Sequence, residues 1–111
     1  ESVPNAIDQA EVVAANMLGA ARDYIATPWF WSDQFDVKLQ IAGLNTGFTD
    51  IIVRNSGSAR SHWYYKSTTL LAVDAMNDPR AYMVAKRLIQ AGKSADPITV
   101  ADPQSDLKVL L

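Results

Sequence analysis

Any imidazole chemistry in this sequence would rest on His62 alone, because it is the only histidine and there is no cysteine. A metal centre of imidazoles and thiolates needs further ligands of that kind, and a Ser-His-Asp arrangement would hang on this one residue. His62 lies inside "RSHWYYKS", a run rich in β-forming residues, and reads as a strand residue with no catalytic role. Asp33 and Asp36 are spaced like a carboxylate pair, but local hydrogen bonding at a strand entrance accounts for them more simply. The 5 glycines never fall as G-x-G, so neither a dinucleotide fingerprint nor a P-loop is present. Lys38, Arg54, Arg60 and Lys66 read as cations on solvated strand faces rather than as one basic surface. A formal net charge of -2 argues against nucleic acid as a partner.

Two stretches remain that ordinary core-building does not absorb. The first is "ESVPN", where Ser2 is placed to cap a helix and Pro4 fits its first turn. A helix start carries free N–H groups and partial positive charge, which together make an anion site. The second is "PWFWSDQFDVKLQIAGL", which sets Trp29, Phe30 and Trp31 side by side. Three successive aromatics in extended chain cannot all face one way, so at least one belongs to a second surface. An exposed tryptophan suggests an interface or a flat ligand.

The elements that must hold these stretches can be read from periodicity. Ile7, Ala10, Val13, Ala14, Met17 and Leu18 recur at helical spacing, with Gly19 placed as a left-handed cap. "AARDYIATP" is an irregular connector. Val37, Leu39 and Ile41 alternate with Lys38 and Gln40, which predicts a strand just after the aromatic cluster. Further strands are expected over 50–55, 60–67 and 70–76, the last two joined through Thr68 and Thr69. In the strand over 60–67, Ser61, Trp63 and Tyr65 share one face, while His62, Tyr64 and Lys66 share the other. Short links make the sheet antiparallel.

A second helix begins at Asp78 and Pro79, runs through Tyr82, Met83, Ala85, Leu88 and Ile89, and stops at Gly92. Lys86 and Arg87 suit its C-terminal end electrostatically. The tail, with two Asp-Pro pairs, holds short helical turns.

A chain of 111 residues allows one small domain with a modest core. No apolar run approaches the roughly 20 residues of a membrane span, and there is no basic region of a signal peptide at the start. These features, with no cysteine, suit a cytoplasmic protein. The missing initial Met suggests a fragment or a processed chain.

"ESVPNAIDQAEVVAANMLG" and "PWFWSDQFDVKLQIAGL", followed in order by "IIVRNSG", "LLAVDAMNDPRAYMVAKRLI" and "DLKVLL", resemble the C-terminal part of a known family. That family is the FAD-dependent, NADH-linked ferredoxin reductases of oxygenase systems, the putidaredoxin reductase-like group. The resemblance implies that residues 1–27 are the last helix and connector of an FAD domain, and 28–111 a C-terminal interface domain. It implies an α+β fold, an antiparallel sheet of four to five strands packed with helices and preceded by the N-terminal helix. The two Rossmann-type domains that bind FAD and NADH in the family lie mainly upstream of such a segment.

Site roles also come from the resemblance. Val3 matches the position whose backbone approaches the flavin, with Ser2 and Pro4 flanking it. Trp31 matches an aromatic near both the flavin and the ferredoxin-docking surface, and Trp29 matches its partner in the motif. One aromatic of the cluster is expected to pack under the sheet and another to face the flavin and the electron-accepting protein. "STT" at 67–69 departs from the Gly-rich turn of many relatives.

The expected function is passage of electrons from NADH through FAD to a two-iron ferredoxin, this segment completing the flavin pocket and docking face. Expected partners are an iron–sulfur ferredoxin and the upstream FAD and NAD domains, with no nucleic acid, no membrane, and self-association if the segment stands alone. Alone it is expected to be inactive, with FAD largely absent and NADH bound elsewhere. The alternative is a stand-alone protein-binding or dimerisation module without redox activity.

Overall fold

The computed structural model describes residues 2–111. The chain runs through helix α1 (Val3–Met17), strands β1 (Trp29–Gln34), β2 (Val37–Gly43), β3 (Asp50–Ser56), β4 (Ala59–Lys66) and β5 (Thr69–Met76). Helix α2 (Pro79–Gln90), helix α3 (Pro97–Ala101) and a 3-10 turn, Leu107–Leu110, complete it. Strand order is β1-β2-β5-β4-β3 with every neighbour antiparallel, as the short links require. The α+β class, the connector and the short helical tail agree with the sequence reading.

Alternation decides the layers. Ser61, Trp63 and Tyr65 of β4 face inward, in line with Val73 and Ala75 of β5 and Ala42 of β2. Helix α2 lies over β5 and β2 and closes the core with Ala81, Val84, Ala85 and Leu88. Its caps are those read from the sequence: the Asp78 carboxylate accepts from the Ala81 N–H at 3.0 Å, and Gly92 takes φ 66° beyond its end. Buried polar atoms find partners within the core, the Trp63 indole N–H donating to Ser61 Oγ at 2.9 Å.

Three local expectations are corrected. The aromatic cluster does not precede the sheet; it forms β1, an edge strand paired with β2 from Trp29↔Ala42 to Gln34↔Val37. Phe35 and Asp36 make the turn, with Phe35 at φ 56°. The β4–β5 turn is Ser67 and Thr68 rather than Thr68 and Thr69, with Ser67 at φ 55°. A residue other than Gly at that left-handed position escaped turn rules that look for Gly or Asn.

The third correction concerns Arg54, which is buried rather than solvated. It lies on the same inward face of β3 as Ile52 and opposite Ser61, so alternation carries it under the C-terminal segment. Its Nη1 donates to the Val100 carbonyl at 3.1 Å, the Asp102 carbonyl, and Ser105 Oγ at 2.9 Å. Its Nη2 donates to the carbonyls of Pro103 at 3.1 Å and Ser105 at 2.7 Å. The planar fork thus holds together a segment with little regular structure of its own.

Gly43 closes β2 at φ 79°, where an added Cβ would lie 2.2 Å from the Leu71 carbonyl oxygen. Its N–H donates to the Pro28 carbonyl at 2.7 Å, tying the connector to the sheet.

Arg54→Met should lower stability by about 3 kcal/mol, since several carbonyls lose their donor together. Hydrogen exchange should quicken over 100–105, and Arg54→Lys should recover only part of the loss because an ammonium lacks the fork. A second test uses pH. Burial, and then the nearby Asp96 carboxylate, push the Tyr65 hydroxyl up to about 12, while its O–H donates to the Ala95 carbonyl at 2.9 Å. In the unfolded chain it ionises near its ordinary value of about 10. Its contribution is therefore complete below pH about 10 and declines as pH rises to about 12. Denaturant midpoints should fall across that window, and Tyr65→Phe should flatten the fall.

Candidate functional site

The N-terminus of α1 is built by Ser2, whose Oγ accepts from the Asn5 N–H at 3.3 Å while its carbonyl takes the Ala6 N–H at 3.1 Å. Pro4 has no N–H to offer. The Val3 N–H is therefore the first helical donor without an acceptor among the described residues. Pro4 is buried beneath it, and the Val3 side chain is 62% exposed. An anion or the electron-rich edge of a flat ligand could meet this donor together with the positive end of the helix.

The connector folds back on the helix. Asn16 Nδ2 donates to the Arg22 carbonyl at 2.8 Å, and the Arg22 N–H donates to Asn16 Oδ1 at 2.7 Å. The Tyr24 hydroxyl donates to Asn5 Oδ1 at 2.6 Å. These bonds put the α1 N-terminus beside β1, leaving between them a cleft of about 350 Å³. Ser2, Asn5 and Tyr24 line one side of it, and Pro28, Trp29 and Phe30 another. The cleft thus joins the two stretches that the sequence singled out.

Trp29 and Trp31 lie on one face of β1, two residues apart, with ring centroids 5.6 Å apart and planes inclined by 24°. Phe30 points to the opposite face. The cluster thus divides between two faces, as three successive aromatics in extended chain must. Strand alternation forces positions 29 and 31 to the same side, and the packing leaves Trp29 half-buried and Trp31 40% exposed.

Lys86 of α2 sets its ammonium 4.4 Å from the Trp29 ring centroid and 5.8 Å from that of Tyr82. The sequence reading gave Lys86 to the helix end; instead it reaches across to the edge strand. The spacing of Tyr82 and Lys86, one turn apart, was the available signal for their shared face.

The remaining candidates stay apart from this region. His62 Nε2 accepts from Arg60 Nε at 3.1 Å on the other face of β4, in register with Asp74. The Tyr64 hydroxyl donates to Asp74 at 2.7 Å, and burial, with this carboxylate next, raises its pKa. Asp33 stands opposite Lys38 in the β1–β2 ladder, and Asp36 is in the turn beyond. No group of His, Cys, Asp or Glu among the described residues could hold a metal ion. No helix among them is long and apolar enough to cross a membrane.

A family model described as "Reductase C-terminal" matches residues 29–111. Rhodocoxin reductase of Rhodococcus erythropolis is 39% identical over 113 residues, covering 100% of this chain and 26% of that protein. Among solved structures, a ferredoxin reductase from Rhodopseudomonas palustris superposes with a TM-score of 0.93 at 40% identity. That match covers 98% of this chain and 28% of the other. The reductase of a covalent putidaredoxin reductase–putidaredoxin complex matches with a TM-score of 0.90 at 38% identity, covering 99% of this chain and 27% of that one. The chain thus spans little more than a quarter of the length of the proteins it matches.

Trp29→Ala should cost well under the roughly 3–5 kcal/mol of a fully buried tryptophan, because the side chain is only half-buried. Chemical denaturation measures the loss. Emission from Trp31 should shift to the red as its stacking partner disappears.

Proposed function

The chain belongs to the reductase C-terminal family, and from that premise we propose that it is the C-terminal portion of an NADH-dependent flavoprotein reductase that passes electrons to a two-iron ferredoxin. The observation that carries the reading is the cleft in which the start of α1, through Ser2 and Asn5, meets Trp29 and Phe30 of β1. When bound, FAD would supply the redox chemistry that links a two-electron donor to a one-electron acceptor, and the backbone at Ser2, Val3 and Pro4, with Trp31, would meet it. In this reading residues 1–27 end the FAD domain and 28–111 form the interface domain.

The chain's own residues have three tasks. The α1 N-terminus directs the Val3 N–H and the positive helix end at the flavin ring, favouring negative charge on it after reduction. Ser2 and Pro4 shape that end: one removes a competing donor by capping, and the other has none. Trp31, the more exposed of the stacked pair, would stand close to both the flavin and the ferredoxin-docking surface, stacked on Trp29. NADH binding and hydride delivery belong to upstream domains. The apolar face of α1, with Val3, Ile7, Val13, Met17 and Leu18 all exposed, fits cover by those domains or, in the segment alone, by self-association.

The name of one neighbour, a covalent complex of a reductase with putidaredoxin, supports a ferredoxin-type partner for this chain. In the full-length flavoprotein, Trp31→Ala should weaken ferredoxin reduction by roughly thirtyfold, the effect of losing about 2 kcal/mol at a central interface aromatic. Flavin reduction by NADH should change little. Stopped-flow measurement of the two half-reactions decides; slowed flavin reduction with intact ferredoxin reduction would overturn the role given to Trp31.

A further inference from the structure

We infer that Lys86 is a positioning residue, its ammonium clamping the Trp29–Trp31 stack in place on an edge strand of the sheet. The inference rests on the proposed role of Trp31 and extends it to a residue on a different element. β1 pairs with β2 alone, so its outer edge has no ladder to restrain it. Helix α2, by contrast, is bound into the core through Ala81, Val84, Ala85 and Leu88. Lys86 spans the two, with its ammonium 5.8 Å from the buried Tyr82 ring and 4.4 Å from Trp29.

A cation over an indole face is attracted by the negative charge density of the ring. The attraction holds Trp29 by the face that looks toward α2, and Trp29 in turn stacks on Trp31 at 5.6 Å. Two indoles on alternate residues of a strand can reach each other in several rotamers. Stacking fixes their mutual arrangement only if one ring is fixed first. Tyr82 fixes Lys86, Lys86 fixes Trp29, and Trp29 orients Trp31. Rigidity thereby passes from the core to an exposed side chain through one charge and three rings. Lys86 need touch neither cofactor nor electron-accepting protein for this.

The test uses the full-length flavoprotein with Lys86→Met, which keeps the chain length and removes the charge, and Lys86→Arg, which keeps the charge. The far-ultraviolet exciton couplet that disappears in Trp29→Phe defines the signal of the stack. Lys86→Met should weaken this couplet and slow ferredoxin reduction by roughly two- to fivefold, the range expected from a partly exposed cation–π contact. Lys86→Arg should restore both, and flavin reduction by NADH should stay unchanged.

An unchanged couplet in Lys86→Met overturns the inference whatever the turnover. A slowed turnover with an intact couplet would mean that Lys86 meets the partner directly. A weakened couplet with unchanged ferredoxin reduction, while Trp31→Ala remains impaired, also overturns it. If Trp31→Ala too leaves ferredoxin reduction intact, the reading of Trp31 fails instead, and the couplet alone reports on the clamp.

Discussion

Burial of the inward face of β4 in the core that α2 closes over β5 and β2 is the constraint from which the rest of this structure follows. Trp63 and Tyr65 are fully enclosed, and each carries a polar atom that had to be matched inside: the indole N–H to Ser61, the hydroxyl to the Ala95 carbonyl. An unmatched donor there would cost about 1–3 kcal/mol, more than the net contribution of the bond itself. The register of β4 with β5 is therefore held by packing and hydrogen bonding together, because a one-residue slip would turn both rings to solvent. With β4 and β5 held in the middle, β2 and β1 extend the sheet on one side and β3 on the other.

The two ends of the sheet solve different problems. On the inward face of β3 an arginine gathers carbonyls of a loop-rich tail that would otherwise have to be paired with water. At the β1 edge the chain leaves aromatic surface showing, paired with β2 and contacted by a lysine from α2. The first arrangement hides polar groups of the backbone. The second keeps apolar side chains at the surface, which a domain does at a cost in solubility unless the surface is used. Helix α1 stands on the same side, strapped by Asn16 and Tyr24 rather than by a hydrophobic face.

Much of this was legible in the residues. Helical spacing from Ile7 to Leu18, the Asp78-Pro79 start of α2 and the alternation Ser61-Trp63-Tyr65 each describe an interaction among sequence neighbours. Such interactions carry their geometry with them, since the period of the element decides which residues share a face. The motifs that resemble the ferredoxin reductases were equally local, and they led to the family that the comparisons show.

What tertiary structure alone decided were the places where a side chain takes its meaning from a distant partner. Arg54 reads as a surface cation until residues 46 to 51 positions away supply its acceptors. The cluster of Trp29 and Trp31 reads as a prelude to the sheet until β2 pairs with it, and Lys86 reads as a helix-end charge until β1 is laid beside α2. Sequence by itself determined the elements other than β1, their order, and the inward faces of α2 and β4, because those depend on backbone period and nearest neighbours. Which exposed residues became a clamp, a latch or a cleft depended on the order of strands across the sheet, and long-range pairing alone sets that order.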